Sequence, residues 1–218
     1  SGAEEFINKY KDADANNSII GHFGLGFYSA FMVSKQVEII TKSQHPNSKP
    51  IKWTCDGSPS FSMEETKKKT KGTDVVLYIA DDATEFLEEQ RITSILNKYC
   101  KFLPVEIKFG EKSKKIDDPK GKKDKEGVII KIDKVFDNIV NNTQPAWTKR
   151  PVDLKKDDYI NFYKELYPME FADPLFHIHL NVEYPFNLTG ILYFPKYKNN
   201  LEVQKNKINL YSNQVFIT

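Results

Sequence analysis

Between Gly110 and Gly127 the chain carries seven lysines and five acidic residues, and Ile116 is the one large apolar side chain. A stretch this poor in apolar surface cannot bury enough of itself to become strongly ordered, so it reads as a linker or a mobile hairpin. It separates two organised blocks, giving an expected division into 1–109, a charged linker at 110–127, and 128–218. A lysine-rich run can bind nucleic acid, but such a patch normally lacks interleaved acids. With a formal net charge of only +2 for the whole chain, no nucleic-acid partner is expected.

In the first block, residues 4–10 have the composition of a short helix, and a polar segment follows at 11–18. Val37–Thr41, Ile51–Cys55 and Asp74–Ile79 alternate or run apolar with β-branched residues, which predicts antiparallel strands. Ile92, Ile95, Leu96, Tyr99 and Phe102 recur at helical spacing across Arg91–Phe102. Pro104 stops that helix, and Val105–Phe109 gives a further strand. In the second block a strand is expected at Val128–Ile132. A helix is expected at Asp157–Tyr167, with Tyr159, Phe162, Tyr163 and Leu166 on one face. Strands at Leu175–Val182, Leu188–Phe194 and Ile208–Ile217 complete it. The fold class is α+β with mainly antiparallel sheets.

The chemistry points to Gly21-His22-Phe23-Gly24-Leu25-Gly26-Phe27, which runs into the apolar stretch Tyr28–Val33. Glycine allows a ligand to approach the main chain closely. A glycine loop that opens a helix leaves unpaired N–H groups at the positive end of the helix dipole, a ready phosphate site. A purely structural turn has the same appearance. No Gly-Lys-Ser/Thr follows Gly26 and no strand precedes Gly21, so neither a P-loop nor a dinucleotide fingerprint fits. What remains is a glycine loop after a polar segment, capping a buried helix and suited to closing over a nucleotide.

Gly21 to Val33 resembles the glycine-rich box of the GHKL ATPases, and most closely that of the heat-shock protein 90 chaperones of the bacterial HtpG type. That family typically reads Gly-Gln-Phe-Gly-Val-Gly-Phe-Tyr-Ser here, so His22 and Leu25 are departures that remove no glycine. Further matches are Trp53, Gly72-Thr73, Phe86-Leu87-Glu88-Glu89, Pro145-Ala146-Trp147-Thr148 (with Lys149 for the family's arginine), Tyr163, Asp173-Pro174-Leu175 and Val215-Phe216-Ile217-Thr218. The resemblance implies the carboxyl-side part of a GHKL α/β sandwich with its lid, then a charged linker, then the start of a client-binding middle domain. It implies that the backbone of Gly21, His22, Phe23, Gly24, Leu25 and Gly26 contacts the triphosphate of ATP. Phe27 would pack beside the nucleotide and Thr73 would lie near the adenine through a water. The family's catalytic acid, magnesium-binding asparagine and adenine-binding aspartate match no residue here. The parent is therefore expected to be an ATPase using ATP with Mg, and this stretch alone to be inactive and to hold no nucleotide.

The resemblance also implies unfolded or partly folded client proteins as partners, a homodimeric parent and a cytoplasmic location. Trp147 lies in an irregular segment after Pro145, where its ring is available either to the core or to a client. A non-catalytic interaction module with a structural glycine turn is the competing reading. No apolar run approaches the ~18 residues of a membrane span, so no membrane partner is expected. Cys55 and Cys100 are expected to be reduced and structural. His22, His45, His177 and His179 show no metal-ligand spacing, and His177 and His179 fall on one face of a strand in a surface or packing role.

Overall fold

The computed structural model describes residues 26–117, 119, 121, 127, 131–182, 184, 188–196, 208–212 and 214–218. Two compact units divide between Ser94 and Ile95. The class is α+β as expected, and every strand pair among the described residues is antiparallel.

The first unit is a four-stranded sheet: β1 (Ser34–Lys42), β2 (Ile51–Cys55), β3 (Ser62–Glu65) and β4 (Gly72–Ile79), ordered β3-β2-β1-β4. Its register pairs Ile39 with both Trp53 and Val75, Trp53 with Met63, and Val37 with Cys55 and Leu77. Because side chains alternate across a strand, these residues share one apolar face. The opposite face carries Glu38, Lys52 and Glu64, where the Lys52 ammonium lies 2.6 Å from Glu64 and 3.9 Å from Glu38. Val37 is fully buried, whereas Met63, Val75 and Leu77 are exposed. The edge strand β3 has no apolar alternation to announce it, since Ser-Met-Glu-Glu is exposed throughout.

Helix α1 (Glu89–Tyr99) spans the division between units. It ends earlier than expected, and Phe102 leaves the helical path to become 1% exposed. The strand expected at Val105–Phe109 starts only at Lys108. The Asn141 side chain occupies the preceding backbone, accepting from Ile107 N at 2.7 Å and donating to the Leu103 and Val105 carbonyls at 2.8 and 2.7 Å. Those groups are then satisfied without a ladder partner.

Residues 110–117 of the lysine-rich stretch belong to β5 (Lys108–Asp117), paired with β6 (Lys131–Ile139) as a ribbon. Of the two readings of that stretch, its first eight residues follow the hairpin. Main-chain pairing orders them without a buried face, because the side chains of Glu111–Lys115 remain exposed.

The second unit's core is aromatic. Helix α2 (Lys156–Leu166) buries Tyr159, Phe162 and Tyr163, with Leu166 partly buried, which is the face its spacing predicts. Asp158 Oδ2 accepts from Lys155 N at 2.8 Å and caps the first turn. Against α2 lies the hairpin β7 (Phe176–Val182) and β8 (Leu188–Phe194). The single strand expected at Ile208–Ile217 is a tight hairpin instead, β9 (Tyr211–Ser212) and β10 (Val215–Phe216). The reversal uses Gln214 at φ 64°, a conformation rare for residues other than glycine. Its side chain holds the turn by donating to the Phe102 and Thr143 carbonyls at 2.8 and 3.0 Å.

Candidate functional site

Of the expected phosphate cradle, Gly21, His22, Phe23, Gly24 and Leu25 lie outside the described residues, as does the helix expected at 4–10. Gly26, Phe27 and Thr73 are described. Gly26 opens a 3-10 helix over Gly26–Met32, where the sequence suggested a buried helix. None of its residues is buried, and Tyr28 and Met32 are 65% and 83% exposed. Phe27 and Phe31 turn inward, in edge-to-face contact with each other at 5.9 Å, and Phe27 meets Trp53 at 5.7 Å. A short 3-10 helix lying on a sheet cannot bury rings on all sides, so Phe27 and Phe31 anchor it while Tyr28 and Met32 face outward. Ser29 and Ser34 hydroxyls cap it from within, donating to the Gly26 and Ala30 carbonyls at 2.5 and 2.6 Å.

Thr73 sits at the start of β4, directly opposite Thr41 of β1, and the two hydroxyls are 2.8 Å apart. Gly72 precedes it at φ 124°, open to glycine alone, which lets the backbone turn into the strand there. Thr73, Val75 and Leu77 alternate along the strand on the same face as Trp53 and Ile39. Phe27 packs on Trp53, so Phe27 and Thr73 share the apolar face of one sheet. Thr41 was not singled out from sequence; its signal is the cross-strand register, which no local pattern shows.

A Cβ at Gly26 would meet nothing within 4 Å, and its φ is not in the positive range. Gly26→Ala is therefore expected to leave the unfolding free energy unchanged or raise it by up to about 1 kcal/mol, measured by urea unfolding. In a longer protein that binds nucleotide, a loss of affinity without a loss of stability would then report a ligand's approach to that backbone.

Trp147 belongs to the second unit, in a 3-10 turn over Ala146–Thr148. Its ring is 4.5 Å from Phe102, 5.4 Å from Phe162 and stacked at 5.2 Å on Tyr211. It is partly buried and packs against the core. Behind it, His177 stacks on Tyr159 at 3.9 Å, and His179 Nδ1 shares a 2.8 Å hydrogen bond with the Tyr159 hydroxyl. Burial holds the His179 imidazole below its usual pKa, against the opposing pull of its backbone bond to Trp147. The Tyr193 phenol, which donates to the Tyr159 carbonyl at 2.8 Å, is pushed far up by burial. Of the surface and packing roles that the sequence left open to His177 and His179, both take the packing one.

An open groove in this unit is lined by Asn142, Lys149, Asp158, Asn161 and Glu165. Its carboxylates are engaged, Asp158 in the helix cap and Glu165 with Asn142 Nδ2 at 3.1 Å, so no reactive group converges there. Cys55 and Cys100 are free thiols, and burial raises the Cys100 pKa. Among the described residues no group of three or more His, Cys, Asp or Glu could hold a metal ion. No helix among them is long and apolar enough to cross a membrane.

The family model described as Hsp90 protein matches residues 108–218, half of the chain. The chain belongs to the Hsp90 family. Over all 218 residues it is 59% identical to "Chaperone protein HtpG" of Bacteroides fragilis and 55% identical to that of Porphyromonas gingivalis, covering 30% of each. Against that of Borreliella burgdorferi it is 34% identical over 224 aligned residues, covering 34% of the relative. This Hsp90 chain is thus of the bacterial HtpG type and spans about a third of the length of these curated relatives. The matched 108–218 region begins at the first residue of β5 and takes in the β5–β6 ribbon and most of the second unit. Trp147, Tyr163 and the Val215–Thr218 end all fall inside it.

Proposed function

We propose that this chain is a working part of an ATP-driven molecular chaperone that assists folding of client proteins in the cytoplasm. It would supply the lid and the carboxyl-side part of the GHKL nucleotide domain (1–109), the charged connection (110–127) and the start of the client-binding middle domain (128–218). The observation that carries this is the uninterrupted match of all 218 residues to relatives named as HtpG chaperones. The shared apolar face of Phe27 and Thr73 supports a nucleotide seated against the first unit's sheet, with Thr73 near the adenine and Gly21 to Gly26 over the phosphates.

ATP with magnesium is the implied ligand pair. The acid, asparagine and aspartate that the family uses for hydrolysis, metal and adenine match no position here, so this chain contributes the phosphate grip and the backing of the pocket. Closure of the lid would be driven by its contacts to the triphosphate, a shift of population toward the form that favours clamping of two copies. Clients, in this reading, contact the middle domain.

Calorimetric titration tests the division of labour. The 218-residue chain is expected to show no stoichiometric ATP binding at micromolar affinity. A longer protein that adds the relatives' upstream region is expected to bind ATP and to gain nucleotide-dependent protease protection across residues 1–26. Micromolar binding by the short chain, or an unprotected segment in the long one, overturns the assignment.

A further inference from the structure

The lysines of the β5–β6 ribbon are not mixed with its acids in space, although they are in sequence. The register pairs Lys112 with Phe136, Lys114 with Lys134 and Ile116 with Ile132. Partners directly opposite in an antiparallel pair point to the same side, and alternate residues share it. One face therefore presents Lys112, Lys114 and Lys134 with Phe136 and two isoleucines, and no carboxylate. The other face holds Glu111, Asp117, Asp133 and Asp137, against Lys115 and Lys131, with Lys108 reaching Asp137. Interleaving at a period of two, which in sequence argued against a nucleic-acid patch, is what sorts the charges onto opposite sides.

The basic face is arranged at a cost. Lys114 stands directly opposite Lys134, and like charges in that position destabilise a sheet. Among the described residues Lys112, Lys114 and Lys134 make no ion pair, and all three are exposed. Lys134 leans over the Phe136 ring, its Nζ 5.2 Å from the centroid. An arriving anion relieves the repulsion between Lys114 and Lys134 and meets an aromatic surface beside it.

We propose that this face binds an acidic, extended segment of a partner polypeptide, with carboxylates at alternate positions and an apolar or aromatic side chain among them. Lys112 and Lys114 stand two residues apart on one strand, about 6.7 Å, the same repeat as alternate side chains of an extended peptide. A nucleic acid is the less suited anion. Its binding draws on the summed field of many cations. The acidic face lies only about one Debye length (~8 Å) behind and cancels much of that field beyond direct contact.

The test compares two substitutions that change net charge equally on the 218-residue chain, K112Q/K114Q and K115Q/K131Q. The probe is a short fluorescent peptide of alternating glutamate and threonine ending in tyrosine, followed by anisotropy at about 50 mM salt, where exposed pairs are least screened. The unaltered chain is expected to bind it, and K112Q/K114Q to bind about fivefold more weakly. K115Q/K131Q is expected to differ from the unaltered chain by less than about twofold. Equal weakening in both variants, no binding by the unaltered chain, or tighter binding of an oligothymidylate than of the peptide overturns the proposal. All four substituted lysines are exposed, and far-UV circular dichroism verifies that both variants keep the ribbon.

Discussion

Replacing Phe102 by alanine is expected to destabilise the second unit by about 3–5 kcal/mol, a large share of the roughly 5–15 kcal/mol that holds a typical domain together. Phe102 is 1% exposed and touches Trp147, Phe162 and Tyr211, with centroids at 4.5, 5.9 and 5.4 Å. These rings come from four separate parts of the chain, so no single neighbour can move to fill the space. Tyr211 belongs to β9, so its lost ring contact with Phe102 is felt there too. The loss therefore reaches the terminal hairpin as well as the core. Urea unfolding followed by tryptophan fluorescence measures it, with Trp147 as the reporter inside the cluster. Leu87→Ala, at a side chain 69% exposed, is the comparison and should change stability by less than about 0.5 kcal/mol. A Phe102→Ala effect below about 1 kcal/mol would show that this cluster does not hold the unit together.

The second large effect concerns association. On the β7–β8 hairpin, His177, His179, Ile191 and Tyr193 face the aromatic core. The other side pairs Phe176 with Phe194, Ile178 with Leu192 and Val182 with Leu188, all 37–47% exposed. An apolar surface of this kind is uncommon on a monomer, and every Å² removed from water contributes roughly 25 cal/mol. The 218-residue chain is expected to self-associate at about 100 μM through this face, seen as concentration-dependent sedimentation. The double variant Ile178→Lys, Leu192→Glu places opposite charges across from each other, keeps the net charge, and should sediment as a monomer. A monomeric unaltered chain over that concentration range would refute it.

The glycine run and the core face of α2 were legible in local pattern. The glycine run stands out because no other residue offers the same backbone freedom, and the Tyr159-Phe162-Tyr163-Leu166 stripe is visible because a helix repeats every 3.6 residues. What stayed hidden depended on partners distant in the chain. Thr41 acquires meaning only when β1 and β4 come together opposite Thr73. Asn141 delays β5 by capturing backbone groups of residues 103–107, and Gln214 breaks a strand by bonding to carbonyls at Phe102 and Thr143. Trp147 could serve either core or client on composition alone, and its stacking on Tyr211 settles where the ring packs.

The amino-acid order alone determined the α+β class, most of the described strands and helices, and the family, because these follow from periodicity and from residue types with few substitutes. Only the tertiary structure decided which way each side chain points across a paired strand. Strand register is set by contacts between residues far apart in sequence, and a shift of one residue exchanges the two faces. That is why seven lysines and five acids read only as a linker or mobile hairpin in one dimension, and why the part of that run lying in β5 becomes, with β6, a ribbon with a basic and an acidic side in three.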